Sequence, residues 1–386
     1  KNRYKSDPLN ELTARGTSIV QQFYSGANVF ITGGSGYLGK QLIEKLLSKH
    51  VTGFVQLICT FVILHCFQVY DLLREQQPNF AKKVDFVLGD VAELRLGLSE
   101  KDWNTITDNQ NLPKFGDYSC NKPIVSKPKK KIILFCSLIN NWPNLYTFSK
   151  SIAEELVNTF GNDLPICVVR PTIVISSKLE PNPGWVDMSC MYGASGVSIM
   201  HTIYAGNSNI VEYVPVDYVN NAIVVAGWET ARKRATGENE TKIYIICSTA
   251  RNRSSWGKTF RMILNYPTPK MVGYGFMVST ENPILFWIYS WILHIIPAYI
   301  IDGNRNNYHF LLYRFAKLAK RMYRMSKILT FFMRNHWQFD DKNTESLYNS
   351  LSNEDRVIFD FNVKNIDWLK LLRTYLGLYF ISRLVK

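Results

Sequence analysis

The apolar run Val29-Phe30-Ile31 feeds into Thr32-Gly33-Gly34-Ser35-Gly36-Tyr37-Leu38-Gly39, and Lys40 to Leu47 follows with an amphipathic pattern. Strand, glycine turn and helix in that order leave few folds open, because the context turns T-G-x-x-G-x-x-G into a dinucleotide-binding signature. Gly33 permits the tight turn, Gly36 lets backbone approach a pyrophosphate, and Gly39 lets the helix pack close to the strand. The helix N-terminus offers unpaired N–H groups and a partial positive charge to the phosphates. The spacing predicts a strand over 28–32 and a helix over 36–48. Thr32, Gly33, Ser35, Gly36, Tyr37, Leu38 and Gly39 then surround the cofactor. The bland alternative, a glycine-rich loop without a ligand, does not account for the flanking strand and helix.

The rest of the chain supplies more βα material. Residues 51–70 are almost continuously apolar, longer than one buried strand needs. Lys83 to Asp90 reads as another strand, Ile132 to Cys136 as a short one, and residues 146–158 as an amphipathic helix. Pro165–Val169 reads as a buried strand, Ala222–Thr230 as a helix and Lys242–Cys247 as a strand. Residues 107–131 look irregular, and 171–206 have the Pro and Gly content of a substrate-side loop region. The expected organisation is a leader over 1–27, with Ser18 to Tyr24 as a docking segment, and a nucleotide-binding and catalytic domain over 28–250. A linker over 251–308 and a helical C-terminal domain over 309–386 complete it.

Composition narrows the partners. The 386 residues carry a net charge of +14, which suits an anionic partner such as a membrane surface or a phosphorylated substrate. No helix-turn-helix, zinc-finger or RNP pattern accompanies it, so nucleic acid is the weaker expectation. The seven cysteines (59, 66, 120, 136, 167, 190, 247) form no C-x-x-C pair, and the six histidines are scattered. Buried reduced thiols and no metal site are expected. Pro283 to Ile301 is uncharged for nineteen residues, long enough to span a bilayer, although Pro297 and His294 weaken that reading. A buried core helix is the alternative, and within a membrane a dip into one leaflet is expected in preference to a full span. Arg314, Lys317, Lys320, Arg321, Arg324 and Lys327 then recur at helical spacing as one basic stripe, which reads as a membrane-surface element facing anionic lipid.

The second chemical motif is Tyr146-Thr147-Phe148-Ser149-Lys150. Y-x-x-x-K on a helix places both side chains on one face, one turn apart. Tyr146 can exchange a proton with a carbonyl oxygen while hydride reaches the carbon. Lys150 can assist that transfer and bind the nicotinamide ribose. The motif alone is weak. Downstream of the glycine turn, and followed by a strand and Arg170-Pro171, it points to an extended short-chain dehydrogenase.

Several further motifs carry a more specific resemblance. They are Asn141-Trp142-Pro143-Asn144, Ala153-Glu154-Glu155-Leu156-Val157, Val169-Arg170-Pro171-Thr172-Ile173-Val174, Glu180-Pro181 with Pro183-Gly184-Trp185, Val214-Pro215-Val216-Asp217, and Tyr244-Ile245-Ile246-Cys247-Ser248. In this order they resemble the alcohol-forming fatty acyl-CoA reductases of insect type. Trp337-x-Phe339, Leu351-Ser352-x-Glu354-Asp355 and Ile366-Asp367-Trp368 resemble that family's C-terminal male-sterility-type domain. The resemblance implies an NAD(P)-binding Rossmann-like doubly wound parallel sheet with a mainly helical C-terminal domain. It implies reduction of a long-chain acyl-CoA to a fatty alcohol with two NADPH, through a bound aldehyde. Tyr146 would be the proton donor, Lys150, Pro171 and Thr172 would lie on the cofactor, and Asp90 would sit near the adenine. A membrane-associated protein with its catalytic domain facing the cytosol, at the endoplasmic reticulum or peroxisome, would suit a lipid substrate and product.

Three departures qualify it. The second strand ends at Leu57-Ile58-Cys59-Thr60, without the basic residue that meets a 2′-phosphate, so the preference for NADPH comes from the resemblance. The interval 51–145 is 95 residues, short for the strands and helices required at about 30 residues per βα unit. A central βα unit is expected to be missing. The family's catalytic serine is not recognisable: Ser119 and Ser137 are alternatives. A relative that binds acyl-CoA or lipid without turnover is therefore the competing reading. A sugar-nucleotide or steroid enzyme of the same fold is disfavoured by residues 280–386.

Overall fold

The computed structural model describes residues 8–48, 52–58, 68–89, 97–107, 142–161, 164–187, 201–248, 251–264, 278–303, 314–372 and 374. Ala27–Thr32 forms β1, and Tyr37–Ser48 forms the helix α3 after the glycine turn. Before them come two short helices, α1 (Pro8–Arg15) and α2 (Ile19–Tyr24). The apolar run after α3 yields β2 over Thr52–Ile58, and β3 is Val84–Val87. These strands form one parallel sheet in the order β1-β2-β3, with Thr32 level with Ile58 and Ile58 level with Val87. Crossover through α3 between parallel neighbours is the βαβ unit that the glycine signature requires. Residues 59–67, the rest of the apolar run, lie outside the described residues.

The second half holds two separate parallel pairs. Asn144 caps α4 (Leu145–Phe160) by accepting from Thr147 N–H at 2.9 Å. β4 (Cys167–Pro171) pairs in parallel with β7 (Lys242–Ile246), and β5 (Ile173–Ile175) with β6 (Tyr213–Pro215). Between them runs α5 (Val216–Ala235), which packs against both α3 and β4. In a doubly wound sheet a further strand stands between β1 and β4. Among the described residues no strand pairs with that edge of β1, and the short strand expected over Ile132 to Cys136 lies outside them.

Three stretches distant in sequence close around α3. Val20, Ile43, Leu46, Val219, Val225, Ile246, Phe359 and Trp368 belong to one contiguous buried cluster, which runs from the leader into the C-terminal part. Ser18 caps α2, and its hydroxyl donates to Asp355 Oδ1 at 2.5 Å. Lys40 and Lys45 of α3 are buried beneath the segment 176–187. Lys40 Nζ meets Asp187 Oδ2 at 2.6 Å, and Lys45 Nζ meets Glu180 and donates to Ile358 O at 2.8 Å. The backbone of that segment is held from the other side, where the N–H groups of Lys178, Leu179 and Glu180 all donate to the Asp217 carboxylate.

The C-terminal part is helical. Pro283–Ser290 (α6) is capped by Asn282 with Pro283 in its first turn. It passes through a π-helical turn, Trp291–Ile295, into α7 (Ile296–Gly303). The ring of Pro297 cannot accept an ordinary helical register. The π turn absorbs the mismatch, with Ile296 N–H donating to Trp291 O. α8 (Arg314–Arg334) carries the basic stripe and packs along α7, followed by α9 (Lys342–Asn349) and α10 (Asn353–Ile358).

The ion pair between Lys40 and Asp187 yields a direct prediction. Asp187→Ala removes the anion from a buried ammonium and costs about 3 kcal/mol, read as a fall in denaturant midpoint. Lys40→Met with Asp187→Leu recovers most of that loss.

Candidate active site

The glycine turn has the shape that its sequence requires. Gly33 has φ +72, in the left-handed region that favours glycine. Gly36 N–H donates to Gly33 O at 2.9 Å and closes the turn. A Cβ on Gly39 would lie 2.4 Å from Gly33 O and 2.7 Å from Gly34 Cα, so helix and strand end could not approach as they do with any other residue. Thr32, Gly33, Ser35 and Gly36 are exposed along the rim of β1. The first turn of α3 leaves backbone N–H groups without intrahelical acceptors beside them.

Tyr37 and Leu38 contribute differently from what the motif suggests. The Tyr37 ring stacks on Trp185 at 5.3 Å with 17° between planes, and its hydroxyl donates to Ile175 O at 2.8 Å. Leu38 O accepts from Asn220 at 3.0 Å. Tyr37 therefore ties the turn after β1 to the segment after β4, and what either residue offers a phosphate is its backbone.

Pro171 ends β4 and Thr172 opens that segment. Thr172 N–H donates to Ile246 O at 3.0 Å, at the carboxyl ends of β4 and β7. Its hydroxyl is buried and has no hydrogen-bond partner among the described residues. An orphaned buried hydroxyl costs about 1–3 kcal/mol, and its position at the carboxyl ends of parallel strands is where doubly wound sheets take their ligands. The close-packed glycine turn and this unused hydroxyl both fit a dinucleotide.

Tyr146 and Lys150 stand on one face of α4, with Lys150 Nζ 5.6 Å from the centre of the Tyr146 ring. Their position follows from an ion pair further along. Arg170 of β4 donates to Glu154 of α4 at 3.0 Å and 3.1 Å. Tyr146 precedes Glu154 by two helical turns, roughly 12 Å at 1.5 Å per residue. Arg170 is one residue from the end of β4. The Arg170–Glu154 pair thus ties the helix that carries Tyr146 and Lys150 to the carboxyl-terminal end of β4. The Tyr146 side chain is 67% exposed, open to a substrate.

Asp90, Ser119 and Ser137 lie outside the described residues, as do five of the seven cysteines. Cys247 is buried, and burial pushes the Cys167 thiol up from its ordinary value. Among the described residues no cluster of His, Cys, Asp or Glu could hold a metal. The clamp on the segment 176–187 was not visible in sequence. Lys40, Gln41, Glu44 and Lys45 look like the solvent face of α3, yet all four are buried. Only the Gly184-Trp185 and Val216-Asp217 motifs hinted at it.

Two family models described as male sterility protein match this chain, one of them an NAD-binding model, over residues 31–112 with 120–223 and over residues 293–378. Fatty acyl-CoA reductase 1 of Xenopus laevis is 26% identical over 447 positions, covering 92% of this chain and 84% of that protein. Fatty acyl-CoA reductase wat of Drosophila melanogaster is 24% identical over 448 positions, covering 93% and 84%. Both alignments are longer than the 386 residues of the chain, so these relatives carry segments without a counterpart here. The terminal R domain of the myxalamid biosynthetic pathway shares the fold with a TM-score of 0.57 at 14% identity, covering 98% of each chain. The two matches span the glycine turn, the Tyr146–Lys150 pair and the helical C-terminal part, and the chain belongs to the male sterility protein family.

Proposed function

We propose that this chain is a nicotinamide-dependent oxidoreductase that reduces a long-chain fatty acyl-CoA to the primary fatty alcohol. The observation that carries the reading is the Tyr146–Lys150 pair on a helix held by Glu154 to Arg170 near the end of β4, the strand directly followed by Thr172, whose buried hydroxyl has no partner among the described residues. When bound, the dinucleotide supplies hydride. The backbone from Thr32 to Gly39 would hold its pyrophosphate, Lys150 its ribose, Pro171 and Thr172 its nicotinamide side, and Asp90 its adenine side. NADPH is the proposed form, in keeping with the relatives' resemblance and the basic chain.

The chemistry asked of the residues is proton transfer and orientation. Tyr146 donates a hydrogen bond to the substrate oxygen and a proton as charge develops there. Lys150, one turn away, stabilises the phenolate left behind. A serine, Ser119 or Ser137, would place a second hydroxyl on the same oxygen. The thioester accepts two electron pairs in two rounds, releasing CoA in the first and becoming the alcohol in the second. The aldehyde between them is best kept bound, because water would hydrate it. Membrane association, with the catalytic part facing the cytosol at the endoplasmic reticulum or peroxisome, suits a substrate and product with long acyl chains.

The full chain with NADPH and palmitoyl-CoA or stearoyl-CoA is expected to yield the fatty alcohol, two dinucleotides oxidised per alcohol. Tyr146→Phe is expected to lower kcat about 10²- to 10⁴-fold with dinucleotide binding retained. Bound acyl-CoA without alcohol from the unmutated chain would sink the reading. Turnover with NADH as good as with NADPH would remove the cofactor preference alone.

A further inference from the structure

The apolar stretch 283–303 is long enough to cross a bilayer, and an 18-residue window of it has a mean hydropathy of 1.5 with only 22% of the window buried. Its buried side is nevertheless fixed to the body of the protein. Phe286 is stacked between Tyr204 at 5.0 Å and Tyr323 at 5.6 Å. Ser290 Oγ lies 3.4 Å from Thr202 Oγ1, and His294 Nε2 accepts the backbone N–H of His201 at 3.1 Å. Ile295 and Ala298 are buried against Ala319 of α8. The opposite side is an unbroken exposed ridge at helical spacing, with Ile284, Trp287, Ile292, Ile296, Tyr299 and Ile300 all between 45% and 67% exposed.

Beside this ridge lies a charged face of a single sign. Lys317, Lys320, Arg324 and Lys327 of α8 are exposed. Lys320 Nζ sits 5.1 Å over the ring of Tyr299, so the basic row borders the apolar ridge directly. From Gly303 to Phe339 the sequence contains no Asp or Glu. An apolar ridge flanked by tryptophans and tyrosine, with a purely basic row along its edge, is complementary to an anionic lipid surface.

We propose that α6, α7 and the exposed face of α8 form one monotopic docking surface that lies in the headgroup region of an anionic bilayer, and that this stretch does not span it. A spanning arrangement would strip 283–303 from His201, Thr202 and Tyr204 or carry the Lys and Arg of α8 into hydrocarbon. The surface rests on the proposed lipid substrate only for its use. It would set the carboxyl ends of β4 and β7 on a body anchored to the membrane from which long-chain acyl groups come and to which the alcohol returns.

Vesicle flotation of the full chain tests it, with phosphatidylcholine alone or with added phosphatidylserine. The protein is expected to float with the phosphatidylserine vesicles and to be released by alkaline carbonate. Lys317→Glu with Lys320→Glu should weaken that partition roughly tenfold or more. Trp287→Glu with Ile292→Glu should weaken binding to both vesicle types, with thermal stability and alcohol formation from a detergent-dispersed acyl-CoA unchanged. Carbonate-resistant insertion would overturn the proposal in favour of a span. Absence of flotation would overturn it in favour of a ridge covered by another part of the chain or by a second copy. Neither outcome bears on reductase activity, which is measured separately.

Discussion

A lysine ammonium without solvent contact must be satisfied by protein atoms, and that of Lys45 is fully buried. It reaches Glu180 in the segment 176–187 and the carbonyl of Ile358 at the end of α10, with the Phe359 ring 5.2 Å away. Desolvating such a charge costs several kcal/mol unless its partners are held in place, so these stretches can exist only together. Lys40 repeats the arrangement one turn earlier on α3 with Asp187. α3 is also the helix that starts at the glycine turn. The phosphate-facing N-terminus of one helix and the clamp on the substrate-side segment are thus one rigid object, with the leader and the C-terminal part folded around it.

This coupling explains why the site is built from residues so far apart in sequence. Tyr37 reaches from the glycine turn to the Ile175 carbonyl and stacks on Trp185, while the Asp217 carboxylate gathers three consecutive N–H groups of the same segment. Asp217 is buried, which pushes its carboxyl up, whereas those N–H groups favour the ionised form. A carboxylate so held orders the loop backbone without entering the chemistry. Tyr146 and Lys150 need no comparable clamp, since α4 is fixed along β4 through Glu154 and Arg170. Their exposure is that of groups waiting for a ligand.

The glycine turn, both of its flanking elements, α4, β4 and β7 were legible in the sequence because each is a local pattern with one physical solution. The cap that Ser18 gives α2 and its bond to Asp355 were not, since the latter joins residues 337 positions apart. The inward lysines of α3 were not, because a polar row on an amphipathic helix is read as a solvent face. Only tertiary partners such as Asp187 and Glu180 reverse that sense. The apolar stretch 283–301 was legible by length and hydropathy, which suit a span, a dip into one leaflet and a core helix alike. Hydropathy does not register that His294 and Ser290 find partners on the protein. Nor does it register that α8 lies alongside, where four basic residues at mid-bilayer would cost on the order of 10 kcal/mol. The shortage of residues over 51–145 was legible as well, and the relatives' alignments, longer than this chain, contain segments without a counterpart in it.

The central claim is that one buried cluster joins the dinucleotide-binding turn to the helical C-terminal part, so ligand binding at the turn stabilises the whole chain. Differential scanning calorimetry of the full chain with and without NADPH measures this directly. The account predicts one cooperative transition that moves up as a unit, by a few degrees at saturating dinucleotide. Two separable transitions of which only one responds to NADPH, or no response at all, would contradict it.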